Sequence, residues 1–312
     1  MKPTSFLADI IHAYEKYRSG SGRKSGSYIK NIVLFDHYCA SHYPDAAVLS
    51  QDMVDSWCAR RPTETGNSCI SRIYPVISLI RYMRDRHLTD VVPPPVPRAT
   101  RRAYIPHAFS GDELKGFFHA CDTIKPRKGG LSKLQRLELP VIFRLLYSTG
   151  MRTTEAIALR CRDVDMSSGV ISIKAGKGYG EHYVVMHDTM LDLMRVYDAC
   201  MENILPGRDY MFPNCDDKPH SPRWITYHFK VLWKRCSETK ATPYELRHNY
   251  AVVNINSWQN VGFGLHDKLL ALSRSMGHRD IRSTMGYYSL TPAVAESMGT
   301  TETMDESIIP DL

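Results

Sequence analysis

The chain has 312 residues, of which 43% are hydrophobic, which is enough for about two domains with apolar cores of their own. Lysine and arginine total 40 against 33 acidic residues, so the formal charge is +7 and a polyanionic partner is favoured. This composition argues against a wholly disordered chain, and no run of about 18 apolar residues predicts a membrane-spanning helix.

The eight cysteines are scattered along the chain, without a C-x-x-C pair and without a histidine at zinc-site spacing. Their distribution predicts reduced thiols and neither a disulfide framework nor a structural metal. The N-terminal segment carries charged residues throughout and lacks the apolar run of a secretion signal. We therefore expect a cytoplasmic protein that is not inserted in a membrane.

Helical periodicity dominates the N-terminal part of the chain. Apolar residues recur at helical spacing in four segments, around residues 6–17, 32–38, 54–57 and 70–80. No convincing strand pattern accompanies them, so four helices are predicted. Pro75 lies inside the last segment and predicts a kink or an early end there.

The segment VVPPPVPRATRRAY, residues 91–104, separates this part from the rest. Its four prolines cannot continue a helix, and arginines follow them. We predict a helical domain over 1–92, a linker over 93–104 and a larger domain beyond. The linker arginines are expected either to contact DNA phosphates or to remain solvated. They are Arg98, Arg101 and Arg102.

The C-terminal part also reads as mainly helical. Ser110 and Glu113 form a capping box that begins one helix, and a longer helix is predicted over 131–148. Two strands, 170–174 and 182–186, flank the glycine-rich turn AGKGYGE and predict a hairpin. Further helices are predicted over 188–204, 222–236, 243–256, 266–276 and 283–289. The fold class is mainly α with a small β-hairpin.

Two short stretches carry more charge than ordinary structure requires. In STGMRTTEAIALRCRDVD, Arg152 and Glu155 are three residues apart and share a helix face. Taken alone, these two residues favour a surface ion pair, because such pairs are common. Lys177 lies at the hairpin tip between two glycines, where it is either a solvated lysine or an ammonium that reaches a phosphate or a leaving oxygen.

A third stretch, TPYELRHNYAVV, places Tyr244, Arg247 and His248 on one face of a helix. Arginine is rarely buried unless it is paired, yet Arg247 lies among apolar residues. A structural Arg–Glu pair is one explanation. The other is a clamp for a phosphodiester, because two guanidinium groups and a lysine match the charge and the geometry of its oxygens.

In the stretch SMGHRDIRSTMGYYSL, His278 stands nine residues ahead of Tyr287. A tyrosine hydroxyl beside an arginine clamp can attack phosphorus and form a covalent phosphotyrosine bond, which conserves the energy of the broken bond. Such chemistry needs no metal or other cofactor, because the arginines supply the positive charge that stabilises the transition state.

The order Arg152, Lys177, Arg247, His278, Tyr287 resembles that of the tyrosine recombinase family, which contains the phage integrases and the Xer-type recombinases. TGMRTTEAIALRCRDVD resembles the family pattern T-G-L-R-x-x-E-x-x-x-L-x-x-x-D. AGKGYGEHYVVM resembles G-K-G-x-K-x-R-x-V-P, TPYELRHNYAVV resembles H-x-L-R-H-x-x-A, and MGHRDIRSTMGYY resembles L-G-H-x-x-I-x-T-T-x-x-Y. The resemblance covers about residues 109–290.

The resemblance implies a role for each of these residues. Arg152 and Arg247 would bind the scissile phosphate, and His278 would hydrogen-bond to it. Lys177 would protonate the departing 5′ oxygen, and Tyr287 would be the nucleophile.

It also implies supporting residues and one departure from the pattern. Glu155 would orient the active-site helices, and Tyr288 would be a packing residue. Tyr244 stands where the family has a histidine that helps to accept the nucleophile's proton. A phenol with a pKa of about 10 is a poor base, so His248 or water is expected to take over this role.

For the whole protein, the resemblance implies a helical core-binding domain of SAM-like fold over 1–92 and an α+β catalytic domain over 105–290. The tail, 291–312, is expected to dock onto an adjacent protomer. The substrate would be double-stranded DNA with a specific recombination site of a mobile element, and the protein would be nucleoid-associated when bound.

The expected assembly is a homo-tetramer in the synaptic complex and a monomer when free, with an accessory DNA-bending protein as a further partner. Two other functions stay open at this point. One is DNA relaxation of the type IB topoisomerase kind, which uses a similar set of residues. The other is a DNA-binding regulator that has lost catalysis.

Overall fold

The structure is a computed structural model that describes residues 2–21, 26–99, 106–125, 130–174, 180–258, 264–278 and 280–287. The chain divides into two compact units, Met1–Ala103 and Tyr104–Leu312. Within the described part of the chain, no helix is both long enough and apolar enough to cross a bilayer.

The described residues of the N-terminal unit form four helices, as the periodicity predicts. They are α1 (Ala8–Gly20), α2 (Gly26–His42), α3 (Gln51–Cys58) and α4 (Gly66–Arg84). Ser50 and Thr65 cap α3 and α4 by accepting hydrogen bonds from backbone N–H groups of the first turn. The helices enclose an apolar core that includes Ile11, Phe35, Trp57, Val76 and Ile80.

The expectation that Pro75 shortens the fourth helix is wrong. Helix α4 continues through Pro75 to Arg84. A proline inside a helix loses a backbone hydrogen bond at a cost of about 3 kcal/mol. Here Ile73, Val76 and Ile77 are buried on both sides of the proline, and packing of these side chains offsets the loss.

The C-terminal unit is mainly helical with one small sheet, which confirms the predicted fold class. Its elements are α5 (Gly111–Asp122), α6 (Gly130–Thr149), α7 (Thr153–Ile157), a 3₁₀ turn (Cys161–Asp163), β1 (Val164–Asp165), β2 (Val170–Ile173), β3 (His182–Val185), α8 (Asp188–Glu202), α9 (Pro222–Trp233), α10 (Pro243–Asn256) and α11 (Leu265–Ser275). Residues 282–287 are also helical. Ser110 and Glu113 form the predicted capping box of α5.

The sheet is antiparallel in the order β1-β2-β3, with Ile171 paired to Val184 and Ile173 to His182. The predicted strands β2 and β3 are present, each one residue shorter than expected. Strand β1 was not predicted, because two residues are too few to show an alternating pattern. In β3, His182 and Val184 point inward and Tyr183 and Val185 outward.

Helix α6 is the centre of the C-terminal unit. It packs against α5, α8 and α10, and the surrounding core contains Phe117, Phe143, Phe229 and Trp233. The helix ends at Thr149. The next residue, Gly150, has a left-handed φ of +64°, and its N–H donates to the carbonyl of Leu146. This turn sends the chain directly into Arg152.

The ring of Tyr250 lies against Gly150, so that a Cβ added there would be 2.2 Å from Tyr250 Cδ1. We predict that Gly150→Ala lowers the free energy of unfolding by about 3 kcal/mol or more, because the left-handed backbone and the clash both oppose a side chain. Gly207→Ala is the matched control, since its φ is +70° but nothing lies within 4 Å. Gly207→Ala should lower the free energy of unfolding by only about 1 kcal/mol. Equal losses in urea denaturation would contradict the role of the clash.

Candidate active site

Arg247 on α10 lies at the centre of the candidate site and is only 2% exposed. Its Nη1 donates to the carbonyl of Gly150 at 2.5 Å, and its Nη2 donates to the carbonyl of Met276 at 2.7 Å. Nη2 also lies 2.9 Å from His278 Nε2. One guanidinium therefore joins α10 to the end of α6 and to the turn after α11.

The partners of Arg247 are neutral dipoles rather than anions. Burial lowers the pKa of Arg247, and the charge of Arg152 lowers it further. Its Nε is buried and has no hydrogen-bond partner among the described residues. This side chain does not fit a structural Arg–Glu pair, because its hydrogen bonds go to carbonyl groups, an imidazole and the Tyr287 phenol.

Arg152 is the N-cap residue of α7 and forms a compact unit with Glu155. Its backbone N–H donates to Glu155 Oε2 at 2.7 Å, and its Nη1 donates to Glu155 Oε1 at 2.6 Å. Both side chains are 13% exposed, so this is not an ordinary surface ion pair. Nη2 donates to the carbonyl of Gly277 at 2.9 Å, which points Arg152 toward the turn that carries His278.

That turn is a Schellman motif at the end of α11. The N–H of Gly277 donates to Arg274 O and the N–H of His278 to Ser273 O, both at 2.9 Å. The motif needs a left-handed residue, and Gly277 has a φ of +60°. The turn therefore exposes the carbonyls of Met276 and Gly277 to Arg247 and Arg152 respectively.

The contacts of His278 fix its tautomer. Arginine is only a donor, so Nε2 accepts from Arg247 and Nδ1 carries the proton that is donated to Thr284 Oγ1 at 2.8 Å. Burial, together with the charges of Arg247 and Arg152, lowers the pKa of His278 to about 4. In the free protein, His278 is therefore neutral near pH 7.

Tyr287 lies on the same side of this turn and is 6% exposed. Its ring centroid is 5.2 Å from that of His248 and 6.1 Å from that of His278. Burial raises the pKa of Tyr287, although Arg247 opposes the shift through a hydrogen bond and its charge. The phenol is thus protonated at neutral pH and must lose a proton before it acts as a nucleophile.

Tyr244 and His248 occupy successive turns of α10. Their ring centroids are 4.8 Å apart in an edge-to-face contact, and Tyr244 is 44% exposed. Burial lowers the pKa of His248, so its imidazole is neutral and able to accept a proton. The ring of His248 contacts that of Tyr287, and Tyr244 lies close enough to raise the pKa of Tyr287.

The structure thus brings together six of the residues singled out in the sequence. They are Arg152, Glu155, Arg247, His248, His278 and Tyr287. Tyr244 lies at their exposed edge, and Arg98 is exposed in the N-terminal unit. Lys177, Arg101, Arg102, Tyr288 and the tail lie outside the described residues.

Three further residues shape the site and were not predicted from the sequence. Thr284 accepts the hydrogen bond from His278 Nδ1, Gly277 forms the turn, and the ring of His182 lies against Gly277. His182 falls at the arginine position of the pattern G-K-G-x-K-x-R-x-V-P, and Thr284 at the second threonine of L-G-H-x-x-I-x-T-T-x-x-Y. Together with the glycine directly before His278, these positions were the available signals.

Comparison with known proteins places this arrangement in a family. A sequence model of the phage integrase family matches residues 108–293, which is more than half of the chain. The chain belongs to the phage integrase family. The matched range includes every residue of the candidate site.

Two curated proteins that are similar to this chain are XerC recombinases. "Tyrosine recombinase XerC" of Staphylococcus saprophyticus is 28% identical over 192 residues, 60% of this chain and 58% of that protein. "Tyrosine recombinase XerC" of Pediococcus pentosaceus is 24% identical over 295 residues, 92% of this chain and 87% of that protein.

Two solved structures share the fold of this chain. XerH bound to difH in a pre-cleavage complex has a TM-score of 0.63 and 16% identity, covering 87% of this chain and 78% of XerH. A lambda integrase tetramer bound to a Holliday junction has a TM-score of 0.60 and 15% identity, covering 90% of this chain and 76% of the integrase.

The lowered pKa of His278 predicts a pH-dependent stability. Between pH 6.5 and about 4, His278 takes up a proton in the unfolded chain but stays neutral in the folded site. The contribution of His278 to the free energy of unfolding is therefore full above pH 6.5 and falls as the pH decreases through this window. We expect His278→Gln to reduce the fall in melting temperature between pH 7 and 4.5. His119→Gln, at an exposed position on α5, should keep the wild-type slope. Identical slopes in all three proteins would refute the prediction.

Proposed function

We propose that this protein is a site-specific DNA recombinase that cleaves and rejoins DNA through a 3′-phosphotyrosine bond to Tyr287. The observation that carries the proposal is the convergence of Arg152, Arg247, His278 and Tyr287 on one turn, from three separate segments of the chain. Membership of the phage integrase family supports the same activity.

In the proposed reaction, Arg152 and Arg247 bind the non-bridging oxygens of the scissile phosphate. Guanidinium groups suit this task because their paired N–H donors match two oxygens at once. The carbonyl groups that hold both arginines in the free protein fix their orientation before DNA arrives. Pre-oriented positive charge stabilises the extra negative charge of the transition state.

The phosphate would also change the state of His278. Its pKa is low in the free protein because it is buried beside two arginines. A bound phosphate brings negative charge that offsets both arginines and raises this pKa. His278 can then take up a proton and donate from Nε2 to a phosphate oxygen.

The bond changes balance without an added reagent. The Tyr287 hydroxyl oxygen bonds to phosphorus, and the bond from phosphorus to the 5′ oxygen breaks. The tyrosine proton passes to His248, and the departing 5′ oxygen takes a proton from Lys177. Rejoining reverses these steps with the 5′ hydroxyl of the same or another strand.

The proposed partner is double-stranded DNA that carries a specific recombination site. The N-terminal unit would also contact the duplex, with Arg98, Arg101 and Arg102 on its phosphates. Lambda integrase has been solved as a tetramer on a Holliday junction, and we propose the same assembly for this chain. The tail, 291–312, would dock onto the next protomer of that tetramer.

Our first test is formation of the covalent adduct. Nicked duplexes with candidate sites from the DNA that flanks the gene would be incubated with the protein and run on a denaturing gel. We expect a protein–DNA adduct with wild type and with Tyr288→Phe, and none with Tyr287→Phe. An adduct that survives Tyr287→Phe would remove Tyr287 as the nucleophile.

The same preparations separate the remaining functions. Strand exchange between two sites supports the recombinase, whereas relaxation of supercoiled plasmid at any sequence, without exchange, would favour a type IB topoisomerase. Binding to a site without any adduct would favour a regulator.

A second test concerns the proton acceptor. We expect His248→Gln to slow adduct formation by about 10²-fold, because a general base usually contributes at least that much. Tyr244→Phe should be close to wild type, since Tyr244 is not the base in this proposal. Tyr244→His should restore part of the rate in the His248→Gln background. If Tyr244→Phe forms the adduct slowly and His248→Gln forms it at the wild-type rate, Tyr244 rather than His248 accepts the proton.

A further inference from the structure

His182 is the first residue of β3 and is 8% exposed. Its ring lies directly over Gly277. A Cβ added to Gly277 would be 2.5 Å from His182 Cε1, 2.7 Å from Nδ1 and 2.9 Å from Nε2. Contact with three ring atoms at similar distances means that the face of the imidazole, rather than its edge, meets the turn.

The nitrogen atoms of His182 do little hydrogen bonding. Nδ1 lies 3.5 Å from the carbonyl of Gly180, at the limit of a hydrogen bond. Nε2 is buried and has no hydrogen-bond partner among the described residues. A buried polar atom without a partner lowers stability. The ring therefore contributes its flat shape rather than a hydrogen bond.

The contact falls at a sensitive point of the candidate site. Gly277 is the residue whose carbonyl accepts from Arg152, and it directly precedes His278. His182 also lies close enough to Glu155, Arg152 and Arg247 for their charges to influence its pKa, which burial lowers. A small shift of the Gly277 turn would therefore move a partner of Arg152 and the ring of His278 together.

We propose that His182 is a positioning residue for cleavage, whose flat ring fixes the Gly277 turn and thereby orients Arg152 and His278. This inference rests on the proposed function. It adds a residue to the predicted catalytic set, whose members are Arg152, Lys177, Arg247, His278 and Tyr287. It also explains why position 277 requires glycine beyond its backbone conformation, since any side chain would occupy the space of the ring.

The first experiment compares single-turnover cleavage of a nicked site duplex at saturating DNA. We expect His182→Ala to slow cleavage by about tenfold or more while DNA affinity stays within about threefold, since misplaced groups reduce the rate of the bound complex. His182→Phe keeps a flat ring and removes the unpaired nitrogen. It should cleave within about threefold of wild type, with a melting temperature at or above that of wild type.

The second experiment tests the contact itself by suppression. Gly277→Ala should slow cleavage by about 10²-fold, because the new methyl group displaces the turn from the ring. The double variant Gly277→Ala with His182→Ala makes room for the methyl group. It should cleave at least about tenfold faster than Gly277→Ala alone.

Several results would overturn the proposal. Cleavage by His182→Ala at the wild-type rate would remove His182 from positioning. His182→Phe as slow as His182→Ala would assign the role to a nitrogen atom rather than to ring shape. A double variant no faster than Gly277→Ala would show that the contact does not set the turn. An absent adduct in wild type would instead reject the proposed function, so the two failures are distinguishable.

Discussion

Burial of the Arg247 guanidinium is the constraint on which the C-terminal unit depends. Its bonds reach Gly150, 97 residues earlier, and Met276 and His278, 29 and 31 residues later. Hydrogen bonds from a charged donor each contribute about 1.5–3 kcal/mol, but removing the charge from water opposes this gain. The net effect is an arginine that is fixed in place and still lacks a full negative charge among these partners. An anion such as a phosphodiester would meet that need.

Both arginines of the site are held by the same local arrangement. A helix ends in a left-handed glycine, a carbonyl at that helix end accepts from the guanidinium, and a ring covers the glycine. For α6, the glycine is Gly150, which accepts from Arg247 and is covered by Tyr250. For α11, the glycine is Gly277, which accepts from Arg152 and is covered by His182. Helix termini have carbonyl groups without intrahelical partners, so they suit positive side chains.

Neutral forms of the remaining groups complete the electrostatics of the free site. Burial and the arginines lower the pKa of His278, and burial raises that of Tyr287. Neither residue therefore carries a charge beside the arginines before a substrate is present. Arrival of a phosphate would shift His278 toward its charged form, since it supplies negative charge that offsets the two arginines. Fold and chemistry are linked because the same carbonyl groups that end the helices orient the arginines.

Much of the fold follows from local sequence. Apolar periodicity and capping residues predicted the helices, because they act within one or two turns, and the glycine-rich hairpin had a similarly local signal. The order Arg152, Lys177, Arg247, His278, Tyr287 predicted the candidate site through four short patterns. Tertiary structure alone decided the rest. Burial of side chains on both sides of Pro75 lets α4 continue, and β2 gives the two-residue strand β1 a partner. The tautomer of His278 and the contact of His182 with Gly277 depend on neighbours from other segments of the chain. Arg247 and His278, like His182 and Gly277, are far apart in the chain, so no local pattern encodes these two contacts.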